Sequence, residues 1–239
     1  MKNKINEQLF LLYSSKWSNL SHKLNSVIKD ENSLSIPTSP LFLCVDEEKY
    51  EKSAIKIMFF GQETNGWIEN ENCYYNGKDS DLKYLMDGYY DFFYNGRCWK
   101  HGGQFFNGIK LFQKMMAEKF KNISIHYTWN NIIKIGKAEG IGRPPMNIYE
   151  IEREHFSVIK DEINILKPDI IVFFTGPYYD KVITDNFGKL DFSALAPFSA
   201  RQLSKINFHN IKKAVRTYHP NYLWRNDIGK YFSTIINSL

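Results

Sequence analysis

The feature that most constrains the fold is an apolar run that passes abruptly into small and polar residues. Residues 55 to 60 read IKIMFF, and residues 61 to 67 read GQETNGW. A short apolar run bounded by turn residues is typical of a buried parallel strand. Ligands of open α/β sheets bind just beyond the carboxyl ends of such strands. The sequence therefore predicts that a strand ends at Gly61 and that the residues after it line a site.

Strands and helices alternate along the rest of the chain. This order predicts an α/β fold with three layers, α/β/α, around a central, mainly parallel four-stranded sheet with right-handed crossovers. The turn-rich link at 35–40 leads into LFLCV, which we interpret as an edge strand. The other expected strands are 123–129, one within KPDIIVFFTGP (167–177) and one near 211–217, and the expected helices are 4–30, 105–120, 149–166 and one at the C-terminus.

The length of the chain fits one domain. At 239 residues it stays below the size at which single cores commonly divide. Residues 1–40 are expected to form an N-terminal helical extension, and residues 68–104 an aromatic-rich insertion. Aromatic side chains among Gly, Asn and Asp are compatible with a satellite core and equally with stacking surfaces around a base.

The charge permits a polyanionic partner without requiring one. The net charge is +5 and the isoelectric point about 8.9. Basic residues are concentrated between positions 201 and 230, where Asp227 is the single acid. Such an excess suits phosphates, although a solvated basic surface has the same composition. The basic residues are Arg201, Lys205, Lys212, Lys213, Arg216, Arg225 and Lys230.

The cysteines and the apolar content favour a cytoplasmic protein. Cys44, Cys73 and Cys98 form no CxxC pair, so we expect no disulfide framework and no zinc or iron–sulfur site. The N-terminus lacks a signal-peptide pattern, and no apolar run could span a bilayer. We expect a monomer that uses no metal or other cofactor.

Four loops, taken in order, resemble those of the uracil-DNA glycosylase superfamily. Each is a weak signal alone, and the similarity covers about residues 55 to 226. The closing His-Pro loop after a basic strand is its most specific part. The four segments are GQETNGW, YTWNNIIKIGKAEGIGRPP, EINILKPDIIVFFTGP and TYHPNYLWR.

The resemblance implies a DNA glycosylase that hydrolyses the N-glycosidic bond of a flipped-out base. Gly61, Gln62 and Glu63 match the water-activating loop, in which Glu63 would stabilise the sugar cation and position water. His219 would donate to the carbonyl oxygen of the departing base. None of the matched catalytic positions is a lysine, so we expect a monofunctional enzyme that leaves an abasic site.

The same resemblance implies which residues bind the base. Gly61 and Gln62 would line the pocket, and Asn131 would read the edge of the base, because an amide offers both a donor and an acceptor. Phe105 is the expected stacking ring, with Trp67 as its competitor. A core role for Phe105 remains open.

The remaining matched residues are expected to contact DNA. Thr175 and Gly176 lie in the loop that meets phosphate, Leu223 matches the side chain that wedges into the duplex, and Arg225 would face phosphate. Asn221 replaces the serine of the family's His-Pro-Ser loop.

Departures from the family pattern leave the substrate open. Thr64, Asn65 and Gly66 stand where relatives have proline followed by tyrosine or glycine, so the gate against the thymine methyl group is absent. The chain resembles the thermophile-type branch but lacks its cluster cysteines. The base is therefore expected to be uracil-like or a modified pyrimidine, with three alternatives: a bulky modified cytosine in bacteriophage DNA, a non-catalytic DNA-binding module of this fold, or an unrelated α/β enzyme acting on a small molecule.

Overall fold

A computed structural model describes residues 4–33, 35–67, 76–208 and 211–239. Part of the aromatic-rich insertion, 68–75, and with it Cys73, lies outside the described residues. The helices are α1 (Ile5–Lys29), α2 (Glu47–Lys52), α3 (Asp79–Phe93), α4 (Gln104–Lys119), α5 (Met146–His155), α6 (Ile159–Leu166), α7 (Asp180–Phe187), α8 (Pro220–Leu223) and α9 (Ile228–Asn237). The strands are β1 (Ile55–Asn65), β2 (Ile125–Lys137), β3 (Ile170–Phe173), β4 (Phe192–Ala194), β5 (Leu203–Ile206) and β6 (Lys213–Thr217).

The strands form one mixed sheet in the order β2-β1-β3-β6-β5-β4. β1 and β6 each pair with β3 in parallel, whereas β5 pairs antiparallel with both β6 and β4. The predicted α/β class is confirmed. The predicted four-stranded sheet differs from the observed one, because β4 and β5 contain only three and four residues and give too short a pattern to recognise.

The chain divides into two compact units. The first unit comprises Met1–Glu47, Glu63–Asn95 and Asn131–Leu166. The second unit comprises Glu48–Gln62, Gly96–Asn130 and Lys167–Leu239. β1 and β2 each contribute residues to both.

The core of the first unit lies along α1, which confirms the predicted N-terminal helix. α1 packs against α3, α5 and α6. Phe42 contacts both Tyr13 and Trp17 of this helix, with ring centroids 4.7 and 5.4 Å apart. Phe42 belongs to LFLCV, which is buried but is not a strand, so the predicted edge strand is wrong. α3 buries Leu82 and neighbouring side chains, as in a satellite core.

β1 and β2 are both longer than the sequence predicts. β1 runs on through Gly61 to Asn65 instead of ending at Gly61. In the first unit, the Thr64 hydroxyl accepts the Gly136 N–H at 2.6 Å and lies 2.8 Å from the Thr38 hydroxyl. A Cβ at Gly136 would stand 1.7 Å from the Thr64 carbonyl oxygen. These contacts hold the polar residues after Gly61 in an extended conformation. The local sequence pattern alone predicts a loop for the same residues.

The helix predicted over 149–166 is two helices, α5 and α6. Phe156 leaves helical geometry with φ −138° and ψ 35°, and it is buried against Phe42 at 5.2 Å. The packing of Phe156 on Phe42 therefore coincides with the break between the two helices. The sequence around Phe156 contains no glycine or proline that would predict this break. The helix predicted at 105–120 and the C-terminal helix are confirmed as α4 and α9.

A buried ionic cluster ties β2 to the helices of the first unit. Lys134 forms an ion pair with Glu162, and both side chains are fully buried. Tyr13 donates its hydroxyl to Glu162 at 2.7 Å, and Glu152 accepts the backbone N–H groups of Lys134 and Ile135. Burial raises the pKa of Glu152 to about 7. The cluster thus joins α1, β2, α5 and α6.

Candidate active site

The candidate site lies in the second unit, where the parallel pairing of β1, β3 and β6 ends. The register aligns Phe60 with Phe173 and Phe173 with Arg216. The residues that follow these paired stretches therefore meet at one edge of the sheet. Gln62 donates its side-chain N–H to the Thr175 carbonyl at 2.8 Å, and Gly176 donates its backbone N–H to the Thr217 carbonyl at 2.9 Å.

His219 follows β6 and caps the N-terminus of α8. Its Nδ1 accepts the backbone N–H of Asn221 at 3.2 Å. Burial lowers the pKa of His219 to about 4, so the imidazole is neutral at pH 7. A neutral imidazole whose Nδ1 accepts carries its proton on Nε2. The loop thus presents His219 as a hydrogen-bond donor without a formal charge.

Phe105 stacks on His219. The two ring centroids lie 5.5 Å apart with planes inclined by 23°, and Phe174 meets the same phenyl ring edge-on at 6.2 Å. Phe105 opens α4 and is only half-buried. The structure therefore brings the predicted stacking ring and the predicted catalytic histidine together.

His219 is expected to titrate far below an ordinary histidine. A two-dimensional ¹⁵N–¹H NMR spectrum of histidine-labelled protein should give it a pKa near 4 and a protonated Nε2 at neutral pH. The folded-state pKa is below the unfolded value, so its contribution to stability is present above about pH 6.5 and is lost as the pH falls towards 4. The exposed His22 serves as the internal control. A pKa near 6.5 for His219, or a protonated Nδ1, would contradict the assignment.

Thr175 and Gly176 are both buried. The Thr175 hydroxyl finds no hydrogen-bond partner within the described residues. Buried hydroxyl groups nearly always have one, so this group is available to a ligand or a water molecule. Gly176 adopts φ 74° and lies under Tyr218, which would contact an added Cβ at 3.5 Å. The turn needs glycine for its backbone conformation.

Three predicted site residues belong to the first unit. Glu63 is half-buried and follows Gln62 directly in β1. Asn131 is 3% exposed and lies within β2, not at a strand end as predicted. Trp67 is buried and meets Phe92 edge-on at 5.2 Å. Trp67 thus packs in an aromatic cluster of its own unit, and Phe105 is the better candidate for stacking.

The wedge assigned to Leu223 does not fit the structure. Its side chain is fully buried, and a side chain that inserts into DNA must be accessible. The exposed aromatic neighbours are Tyr222 (38%) and Trp224 (41%). Arg225 is exposed and donates its Nε to the carbonyl of Asn221 at 3.3 Å; Asn221 is exposed as well.

The basic segment at 201–230 contains an arginine that is not accessible to DNA phosphates. Arg216 is buried and makes a two-pronged ion pair with Asp180, at 2.8 and 3.0 Å. It also donates to the carbonyl groups of Ala200 and Arg201. The guanidinium of Arg216 therefore holds the loop before β5 in place. Arg201, in contrast, is exposed and donates to the Tyr178 hydroxyl at 3.0 Å.

Sequence reasoning missed a groove of about 640 Å³ on α4. The signal was present as the 104, 107, 111, 114 spacing, which places residues on one helical face. Trp224 closes one side by donating its indole N–H to the Gln104 carbonyl at 3.3 Å. The lining residues are Gln104, Asn107, Lys110, Leu111, Lys114 and Trp224.

No protein-family model and no curated protein matches the chain. Within the described ranges, no group of three His, Cys, Asp or Glu side chains is arranged to hold a metal ion. No helix in this part of the chain has the length and apolar character needed to cross a membrane.

Proposed function

We propose that the protein is a monofunctional DNA glycosylase that hydrolyses the N-glycosidic bond of a flipped-out uracil-like or modified pyrimidine. The observation that carries the proposal is His219, a neutral imidazole with its proton on Nε2, stacked on Phe105. The loop resemblance supports the same conclusion, including a uracil-DNA glycosylase-like fold. We further propose that the enzyme acts as a cytoplasmic monomer in DNA repair or in defence against bacteriophage.

The chemistry needs a donor on the base side. As the glycosidic bond breaks, negative charge develops on a carbonyl oxygen of the base and positive charge on the sugar. A preorganised N–H donor stabilises that oxygen where the charge appears. A neutral His219 can donate from Nε2 without transferring its proton, and Phe105 holds the ring plane. The Thr175 hydroxyl, which has no partner among the described residues, supplies a further polar group at the same edge of the sheet.

Recognition of an extruded base needs stacking surface as well as donors. An enzyme that acts on a base within a duplex must first take that base out of the helix. Phe105 is only half-buried, and its ring stacks on His219. Base–aromatic stacking typically contributes about 1–3 kcal/mol.

The sugar-side role falls to Glu63. Its carboxylate would stabilise the oxocarbenium-like centre and position the attacking water. Glu63→Gln keeps the shape and removes the charge, so we expect base excision to fall by about a hundredfold or more, in line with the loss of a preorganised electrostatic group. Single-turnover kinetics measure this loss. Glu139→Gln, at an exposed glutamate, is the control and should match wild type; an unchanged rate in Glu63→Gln would refute this role.

The proposed function is tested with a panel of oligonucleotides. Single- and double-stranded substrates contain uracil, hypoxanthine, 5-hydroxymethylcytosine or its glucosylated form, and alkali cleaves any abasic site. Strand breaks that depend on Glu63 and His219 would establish a glycosylase and its base class. Cleavage of the glucosylated substrate alone would indicate the bulky-cytosine activity. No breaks with any substrate, together with salt-dependent DNA binding, would indicate a non-catalytic binding module instead.

A further inference from the structure

We infer that the α4 groove binds a single-stranded DNA segment, with Trp224 stacking on a base and Lys110 and Lys114 contacting phosphates. This inference rests on the proposed function, because it names the form of DNA that the protein holds beside the candidate site. The groove and the candidate site are built from the same two elements, α4 and α8, since His219 and Trp224 are the residues that cap the two ends of α8. Phe105 of α4 stacks on His219, while Gln104 of α4 accepts the indole N–H of Trp224.

Charge favours a nucleic-acid strand as the occupant. Lys110 and Lys114 are exposed and lie four residues apart, so their ammonium groups leave α4 on one side. The six residues that line the groove include no carboxylate. Glu118 approaches Lys114 at 3.9 Å, but both side chains are largely exposed. Such surface pairs are weak, so a phosphate can replace Glu118.

The aromatic and amide groups favour unpaired bases. Trp224 is 41% exposed although its N–H is fixed to the Gln104 carbonyl, so the indole is held in place with part of its surface open. Bases in a duplex are already stacked on one another, whereas a single strand offers free faces to an aromatic ring. Asn107 and Gln104 add amide groups for base edges. Between residues 104 and 114 the helix rises by about 15 Å, enough for a short strand segment.

Binding of undamaged DNA tests the groove. Fluorescence anisotropy compares a labelled single-stranded oligonucleotide with a blunt duplex of the same sequence at several salt concentrations. We expect wild type to prefer the single strand. Lys110→Glu/Lys114→Glu should weaken this binding at least tenfold and reduce the slope of log K against log salt by about 1.4, since each phosphate contact on a single strand contributes about 0.7. Trp224→Ala should weaken it at least about fivefold.

Matched substitutions provide the control. Lys23→Glu/Lys160→Glu makes the same change of net charge at exposed lysines that lie outside both the groove and the basic segment at 201–230. The inference is overturned if this pair weakens binding as much as the groove pair does. It is also overturned if wild type binds the duplex more tightly, or if it prefers RNA of the same sequence. Because the DNA is undamaged, this result is independent of base excision: a groove that binds without any glycosylase activity would refute the proposed function alone.

Discussion

His219→Ala should reduce the rate of base excision by about a hundred- to a thousandfold, the usual loss when one preorganised donor to a developing oxyanion is removed. The reason lies in how the loop holds the ring. The backbone N–H of Asn221 occupies Nδ1, and burial keeps the imidazole neutral, so Nε2–H is the donor. Single-turnover kinetics on the best substrate of the panel measure the loss directly.

The pH profile distinguishes a neutral donor from a protonated one. The pKa of His219 is lowered to about 4, so its protonation state does not change between pH 5.5 and 8. The pH profile of wild-type activity should therefore contain no inflection near pH 6.5 that is due to His219. Any inflection in that range should remain in His219→Ala. His22→Ala, at an exposed histidine of α1, should retain wild-type activity at every pH. A His219-dependent rise in rate below pH 6.5 would mean that the imidazolium acts, and would contradict the neutral-donor mechanism.

Loss of activity must come from the missing donor and not from a disturbed loop. Phe105 packs on the imidazole, so His219→Ala also removes one ring contact. His219→Phe restores an aromatic ring without a donor. Both variants should lose activity to a similar extent and keep the circular dichroism spectrum of wild type. A fully active His219→Phe would show that packing alone is needed at this position.

Local pattern was sufficient for the long helices but not for the ends of the strands. α1 and α4 repeat apolar residues at helical spacing, and the structure confirms both. β1 continues past Gly61 because Thr64 bonds to Gly136 and Thr38, far away in the chain. No window around Gly61 contains those partners. Polar strand residues held by distant hydrogen bonds are therefore read as a loop.

The candidate site shows the same division. His219 and Phe105, predicted from the resemblance and the residue types, lie together. Leu223 and Arg216 were assigned by motif position and by charge, yet both are buried. Leu223 fills the apolar face of a four-residue helix, and Asp180 neutralises Arg216 from an element that the sequence does not place beside it. Burial depends on neighbours distant in sequence, so position in a motif cannot establish exposure.

The largest effect on stability is expected at the buried ion pair of the first unit. Glu162→Gln should lower the free energy of unfolding by about 3–5 kcal/mol, the typical cost of leaving one member of a buried pair without its partner. The substitution preserves the shape of the side chain, and the amide oxygen can still accept the Tyr13 hydroxyl. The loss of stability therefore comes from removing the negative charge that neutralises Lys134. Urea unfolding followed by tryptophan fluorescence measures it, with the exposed Glu154→Gln as control.

The pH dependence of Glu162→Gln has a definite sign. Burial lowers the pKa of Lys134, and Glu162 opposes that shift. Without Glu162 the folded-state pKa falls further below the unfolded value of about 10.4, so the unfolded chain binds more protons and the variant becomes less stable as the pH falls. Its deficit should therefore shrink between pH 7 and pH 9.5. Lys134→Met/Glu162→Gln, which removes both charges, should recover most of the loss at pH 7. A double variant no more stable than Glu162→Gln alone would show that the ion pair itself contributes little and that shape governs this site.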